Sequence, residues 1–176
     1  MDIKTLVNLT SRAWSLKILA LLEAGLPGRQ APLLAATDAG RTAFAASLDH
    51  LVELGLLERN PGHGHPLRPE FRLTPAGCAA AAIARRILNA VPDEPALLRR
   101  SWTVPILALT DRPQRFSTLK TMLTPITDRA LSTSLRSLEE NAWLRRDIDL
   151  STRRPFPIYR AVNTGHDVAA AIRLQT

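Results

Sequence analysis

The stretch that decides the fold is ITDRALSTSLRSLE, residues 126–139. Leu131, Leu135 and Leu138 follow one another at four- and three-residue spacing, which places all three on one face of an α-helix. Thr127 stands where an N-cap residue would accept a backbone hydrogen bond, so we expect the helix to begin directly after it. The other face of this helix is polar. The sequence therefore predicts a helix that is anchored by leucines and presents a hydrophilic side.

The chain around this helix predicts further helices and then a hairpin. The elements predicted from residue 100 onward are helices at Thr103–Leu109, Ser117–Leu123 and Asp128–Asn141, strands at Trp143–Asp147 and Pro157–Val162 with the loop Leu150–Phe156 near the tip, and a last helix from Gly165. Three helices followed by a two-stranded hairpin is the order of a winged helix-turn-helix.

Nearly the same pattern occurs about 88 residues earlier in the chain. Trp14 recurs as Trp102, and the Phe71-to-Gly77 segment recurs as the Tyr159-to-Gly165 segment. An offset that drifts by only one residue indicates two copies of one folded unit separated by small loop insertions. The first copy is predicted to contain helices at Ser11–Glu23, Pro32–Ala36 and Arg41–Leu54, strands at Leu56–Arg59 and Glu70–Thr74, and a helix from Pro75 to about Leu88 with Thr74 as its N-cap.

We therefore predict a mainly α fold with small β-hairpin wings, organised as two tandem winged helix-turn-helix domains. The predicted domains are residues 1–90 and residues 91–176, joined by the proline-containing linker 89–95. No apolar run approaches the roughly 18 residues of a membrane span, and the start has no export signal. These features predict a cytoplasmic protein. Cys78 is the only cysteine, and its alanine-rich surroundings predict a buried, apolar role.

The chain is strongly basic, with a formal net charge of +7 and a sequence pI near 10.9. Lys4, Lys17 and Lys120 are its only lysines, so arginine supplies nearly all of the positive charge. The guanidinium fork suits phosphate oxygens and guanine edges, which favours a polyanionic partner. An arginine-rich and lysine-poor composition is equally typical of proteins from high-GC genomes, so composition alone leaves both interpretations open.

Four segments of the second copy resemble the HxlR-type branch of the MarR-like bacterial regulators, and the motifs extend over nearly all of residues 100 to 172. The segments are Trp102–Leu107, Arg115-Phe-Ser-Thr-Leu119, Ile126–Glu139 and Tyr159–Gly165. The first copy is similar but diverged, since it lacks the Arg-Phe-Ser-Thr-Leu segment. The resemblance implies a bacterial, nucleoid-associated transcription regulator that binds double-stranded DNA as a dimer, with its third helix in the major groove and its hairpin on the flanking backbone. A redox-sensing thiol is not implied, because no cysteine lies near the start of the second copy.

The exposed face of the predicted helix at residue 128 offers residues suited to reading bases. Arginine can bridge the two acceptors of guanine, hydroxyls adapt to bases or phosphates, and Asp128 can orient an arginine or accept from cytosine. Phosphate contacts are expected near the hairpin tip and just ahead of the helix-turn-helix. The predicted DNA-binding residues of the second copy are Arg129, Ser132, Thr133 and Arg136 on the helix, Arg153 and Arg154 on the wing, and Arg112 and Arg115 ahead of it.

The corresponding helix of the first copy is a poorer DNA-binding surface. Arg41 and Thr42 are its candidates, but Ala45, Ala46 and Asp49 share the face. Base reading and a partner-facing role are both open for this copy. The chain is accordingly either a monomer that acts as an internal pseudo-dimer or a homodimer. The alternative function is a protein-interaction module that docks onto a regulator or transcription-machinery partner without binding DNA.

Metal binding and catalysis are not expected. His63 and His65 alternate in the glycine-rich first hairpin tip, but the chain contains no Cys or His cluster with zinc-site spacing. The sequence contains no nucleophile–base pair, phosphate-binding glycine loop or converging carboxylates. We therefore predict a non-enzymatic protein without a cofactor. Trp14 and Trp102, at equivalent helix starts, are predicted to anchor the core.

Overall fold

The computed structural model describes residues 1–60, 69–93, 95–151 and 155–172. The chain forms two compact units, which we call the first unit, Arg12–Asn89, and the second unit, Met1–Ser11 together with Ala90–Thr176. In chain order the elements are α1 Ile3–Thr10, α2 Ser15–Glu23, α3 Gln30–Thr37, α4 Arg41–Glu53, β1 Leu57–Asn60, β2 Glu70–Leu73, α5 Pro75–Asn89, α6 Pro95–Leu98, α7 Thr103–Leu109, β3 Gln114–Arg115, α8 Phe116–Met122, α9 Asp128–Glu140, β4 Leu144–Asp149, β5 Phe156–Ala161 and α10 Thr164–Ile172.

The first unit is built from the three helices α2, α3 and α4, the antiparallel hairpin β1–β2 and the helix α5, which packs against α2. Phe44, Leu48 and Leu51 recur at three- and four-residue spacing along α4 and are almost completely buried. The predicted N-cap of α5 is confirmed, because the backbone N–H of Gly77 donates to Thr74 Oγ1 over 3.0 Å. The hairpin places Leu57 opposite Leu73.

The second unit has the same order of elements, with α7, α8 and α9 followed by the antiparallel pair β4–β5 and by α10, which packs against α7. The short strand β3 pairs with the free side of β5 and gives the sheet the order β3-β5-β4. In the first unit, a single bridge between Arg29 and Glu70 stands at this position. Strand β3 was not predicted from the sequence, because two residues are too few to show an alternating pattern.

The first eleven residues lie in the second unit, although the sequence pattern predicted that they belong to a domain of residues 1–90. They form helix α1, which was not predicted and which contacts α7. Leu6 and Leu9 are fully buried there, and Thr10 Oγ1 donates to the carbonyl of Ser101 over 2.9 Å. The contact of α1 with α7, which lies about 90 residues further along the chain, places these residues in the second unit. The predicted helix from Ser11 begins at Ser15 instead.

Two glycines make the same close approach in the two units. A Cβ atom on Gly77 would lie 1.9 Å from the carbonyl oxygen of Leu56, and one on Gly165 would lie 2.0 Å from that of Trp143. Each carbonyl also accepts a backbone hydrogen bond from the returning strand's exit, from Thr74 and from Val162 respectively. The last helix of each unit therefore passes directly over the start of the hairpin, at a distance that only glycine allows.

The long helices α4 and α9 end in the same way. In both, the residue after the C-cap adopts positive φ, at +67° for Gly55 and +56° for Ala142. The next residue donates its N–H back into the helix, from Leu56 to the carbonyl of Leu51 and from Trp143 to that of Leu138. This left-handed ending favours glycine, since a Cβ atom strains the backbone at positive φ.

Replacing Ala142 by glycine is therefore expected to stabilise the second unit. Relief of the positive-φ strain should raise the free energy of unfolding by roughly 0.5–1 kcal/mol. The greater conformational entropy of glycine in the unfolded chain offsets part of this gain. The reverse change, Gly55→Ala, is the matched control and should lower the stability of the first unit. Urea titrations of both variants measure the effect, and a destabilised Ala142→Gly variant would contradict it.

Two smaller expectations differ from the structure. Cys78 is exposed, because the buried face of α5 runs through Gly77, Ala81 and Ala84 and leaves the cysteine beside it. Trp14 and Trp102 are only partly buried, whereas Trp143 is in the core. None of the helices in the described ranges has the length and apolar character needed to cross a membrane.

Candidate nucleic-acid interface

Helix α9 is held in place from one side only. Leu131, Leu135 and Leu138 are buried, as the spacing predicted. The predicted N-cap is confirmed, because Thr127 Oγ1 accepts from the backbone N–H of Ala130 over 3.1 Å. In the C-terminal half of α9, the buried Ser137 accepts a hydrogen bond through Oγ from Arg100, which precedes α7, over 2.6 Å. The orientation of the opposite face is therefore fixed by the core of the second unit.

That opposite face carries the four residues that the sequence analysis singled out. Arg129, Ser132, Thr133 and Arg136 are all exposed, and their spacing of three, four and seven residues aligns them along one side of α9. Within the described part of the chain, neither arginine forms an ion pair with a carboxylate. Two positive charges and two hydroxyls thus point to solvent from a rigid helix, with nothing in the described part of the molecule neutralising them.

Asp128 has a different neighbour from the one expected. Its carboxylate pairs with the ammonium group of Lys120 on α8, and not with an arginine of α9. Both side chains are substantially exposed, so the pair contributes little stability, about 0–1 kcal/mol. It links the two helices of the helix-turn-helix and leaves Arg129 and Arg136 free of an acidic partner on their own helix.

The corresponding face of α4 carries no arginine at the four aligned positions. At the positions that align with the four exposed residues of α9, the first unit carries Thr42, Ala45, Ala46 and Asp49. Arg41, the first residue of α4, is exposed and aligns with Asp128. The two units therefore share a backbone arrangement but differ in the chemistry of this helix face.

Arg115 belongs to the wing sheet. It lies on β3 opposite Ile158, and its guanidinium stacks over the ring of Phe156 at 3.5 Å from the ring centroid. The pKa of the nearby Asp149 is lowered, chiefly by hydrogen bonds from the side chain and backbone of Ser151 and to a smaller degree by the charge of Arg115. The guanidinium is thus held against the hairpin by an aromatic contact while the residue remains exposed.

The other predicted contacts divide into exposed residues and residues that are not described. Arg112 is exposed in the turn between α7 and β3. Arg153 and Arg154 lie outside the described residues, as do His63 and His65 of the first hairpin. Near the second hairpin tip the structure also exposes Ile148 and Leu150, with 63% and 75% of their surface accessible, which the sequence analysis did not single out.

A three-helix unit followed by a small wing sheet is the arrangement of a winged helix-turn-helix. Residues 97–175 match the family described as HxlR-like helix-turn-helix. That match favours DNA binding and transcription regulation as the role of this part of the chain. It covers one domain, so a helix-turn-helix assignment of the first unit stays a prediction. No curated protein matches the chain.

Proposed function

We propose that this protein is a sequence-specific transcription regulator that inserts helix α9 of its second unit into the major groove of duplex DNA. The observation that carries the proposal is the exposed face of α9, where two arginines without an ion pair in the described chain flank two hydroxyl residues. It lies within the residues that match an HxlR-like helix-turn-helix.

The spacing of this face suits the spacing of bases. Arg129 and Arg136 are two helical turns apart, about 10 Å along the axis, which corresponds to roughly three base pairs. Each guanidinium can donate two hydrogen bonds to O6 and N7 of a guanine. Ser132 and Thr133 lie between the arginines and can contact a base edge or a phosphate.

Contacts to the DNA backbone are proposed for the arginines around the wing. Arg112 and Arg115 precede α8, and Arg153 and Arg154 stand in the sequence between β4 and β5. Stacking on Phe156 leaves the edge of the Arg115 guanidinium available to a phosphate oxygen, since only one face of the group is covered. Such contacts fix the register of the protein on DNA without reading sequence.

We further propose that the first unit is a diverged winged helix-turn-helix whose α4 contributes little to base reading. Arg41 and Thr42 remain its only contact candidates, because alanines and Asp49 occupy the remaining positions of the face. One chain then supplies one base-reading helix. A palindromic site would require two chains, and the first unit is free to serve as a dimerisation or partner surface.

Binding to duplex DNA should weaken steeply with salt, because each arginine that neutralises a phosphate releases counterions. Anisotropy titrations between about 50 and 200 mM salt should show a log–log slope that becomes shallower by roughly 0.9 when one such arginine is removed, as in Arg112→Ala. Lys17→Ala, which removes a charge outside the proposed interface, should leave the slope unchanged. A stable complex with a protein partner and no salt-dependent affinity for duplex DNA would instead support the interaction-module alternative.

A further inference from the structure

Two arginines face each other at the base of the second hairpin. Arg145 on β4 lies directly opposite Arg160 on β5 in the antiparallel register, and both are exposed. They line a shallow surface cavity of about 430 Å³, open to solvent, together with Asn163, His166 and Asp167. Like charges in direct cross-strand register disfavour the hairpin, so this arrangement has no evident role in holding the strands together.

The first unit shows that the hairpin does not need this pair. There the corresponding positions are Glu58 and Arg72, which also face each other but carry opposite charges. Arg72 is additionally paired with Glu70 at 3.1 Å. The same strand arrangement is therefore built in one unit with complementary charges and in the other with two positive charges beside a cavity.

The acidic side chains near the cavity neutralise only part of the positive charge of Arg145 and Arg160. Arg145 donates through Nε to Asp147 over 2.9 Å, which leaves its two terminal nitrogens. Asp167 is 65% exposed and lies 3.8 Å from His166. Arg160 forms no ion pair with any residue that the structure describes. At least one guanidinium at this site thus lacks an anionic partner.

One part of the cavity lining is fixed in position by its own hydrogen bond. Asn163 adopts φ +50° and its amide donates to the carbonyl of Ala142 over 2.9 Å, which ties the start of α10 to the end of α9. The cavity is therefore bounded by two strands and by a chain segment held by its own hydrogen bond.

We propose that this cavity binds the oxyanion group of a small molecule, a carboxylate or a phosphate, between the guanidinium groups of Arg145 and Arg160. Planar guanidinium forks match both anions through paired hydrogen bonds. The site is a ligand site in its own right and does not depend on the proposed DNA binding. Arg145 is five residues from Leu150 at the hairpin tip, about 17 Å along an extended strand, which favours a small ligand over a DNA phosphate.

The test uses the full chain and three probes, namely inorganic phosphate, succinate and a short duplex DNA. Binding is followed through the backbone amide resonances of Val162, Asn163 and His166, which report on this cavity and not on other arginines. Wild type is expected to show saturable shifts with phosphate or succinate at a Kd of about 1 mM or tighter. Arg160→Ala should weaken this binding at least tenfold, whereas Arg72→Ala, the matched change in the first unit, should leave it unchanged.

The most discriminating variant rebuilds the first unit's arrangement in the second. The double variant Arg145→Glu/Asp147→Asn places a glutamate opposite Arg160 and an asparagine two residues after it. The first hairpin has the same residues at Glu58 and Asn60. It should keep or raise the thermal midpoint and abolish the shifts with phosphate and succinate. Unchanged shifts in this variant, no saturable shift in wild type, or shifts that appear only with duplex DNA would each overturn the proposal.

Discussion

Duplex affinity is expected to fall by on the order of a thousandfold when Arg129 and Arg136 are both replaced by alanine. Each guanidinium that bridges a guanine contributes about 1–3 kcal/mol of discrimination, and the two are far enough apart on α9 to act nearly independently. The loss should appear in competition titrations against a site selected from a random duplex library. Sequence preference should be lost together with affinity, because these residues are proposed to read bases.

A general loss of positive charge must be separated from this effect. Lys4→Ala/Lys17→Ala removes the same two charges from α1 and α2, where no DNA contact is proposed, and should change affinity by only a few fold. Both arginines are exposed and free of ion pairs within the described chain, so thermal unfolding of the double variant should match wild type within about 0.5 kcal/mol. If the arginine variant selects the same sites with equal strength, α9 is not the reading helix.

A more specific exchange uses the first unit as the template. Arg129→Thr/Arg136→Asp gives α9 the residues that α4 carries at Thr42 and Asp49. It should abolish duplex binding more completely than the alanine pair, because an aspartate introduces repulsion from phosphates and from the acceptor edges of bases. The fold is expected to tolerate it, since α4 is a helix of the same length with these residues in place.

Gly165→Ala is expected to unfold the second unit or to destabilise it by more than about 4 kcal/mol. The added Cβ would lie 2.0 Å from the carbonyl oxygen of Trp143 and 3.0 Å from Leu107 Cδ2. A backbone oxygen in this position cannot move aside without loss of its hydrogen bond from Val162. Helix α10 would have to lift away from α7, which exposes the core on which α9 depends. Hydrogen exchange of the second unit and duplex binding should both report the loss.

Two glycines provide the controls for this prediction. Gly40, the residue before α4, has open space around its Cβ position, so Gly40→Ala should cost about 1 kcal/mol or less. Gly77→Ala introduces the same clash in the first unit, against the carbonyl of Leu56. It should lower hydrogen-exchange protection in the first unit to a degree comparable with the effect of Gly165→Ala in the second. A stable, DNA-binding Gly165→Ala protein would show that α10 is not held at this distance.

Much of the fold could be predicted because it is encoded over short distances. The leucines of α9 recur at helical spacing, Thr127 caps the helix, and Thr74-Pro75 opens α5, so the start of each helix is encoded within about one turn of chain. The exposed face of α9 followed directly, since the side opposite a buried leucine stripe must face away from the core. The four residues on that face were therefore placed correctly, while their contacts with DNA remain predictions.

Other features depended on residues far apart in the chain and had no local signal. Strand β3 is two residues long and exists because β5 lies beside it. The exposure of Cys78 followed from which side of α5 packs on α2. The pairing of Asp128 with Lys120 followed from the turn that brings the start of α9 close to α8. The facing of Arg145 and Arg160 required the strand register, which composition and motif do not provide.

By itself, the sequence determined most of the helices, the caps of α5 and α9, the two hairpins and the contrast between a basic α9 face and a nearly neutral α4 face. These depend on periodicity and on hydrogen bonds between residues a few positions apart. Only the tertiary structure decided that residues 1–11 complete the second unit, that Gly165 must remain glycine and that two arginines share one cavity. Each of these depends on contacts between segments distant in sequence, and such contacts form only when the core is packed.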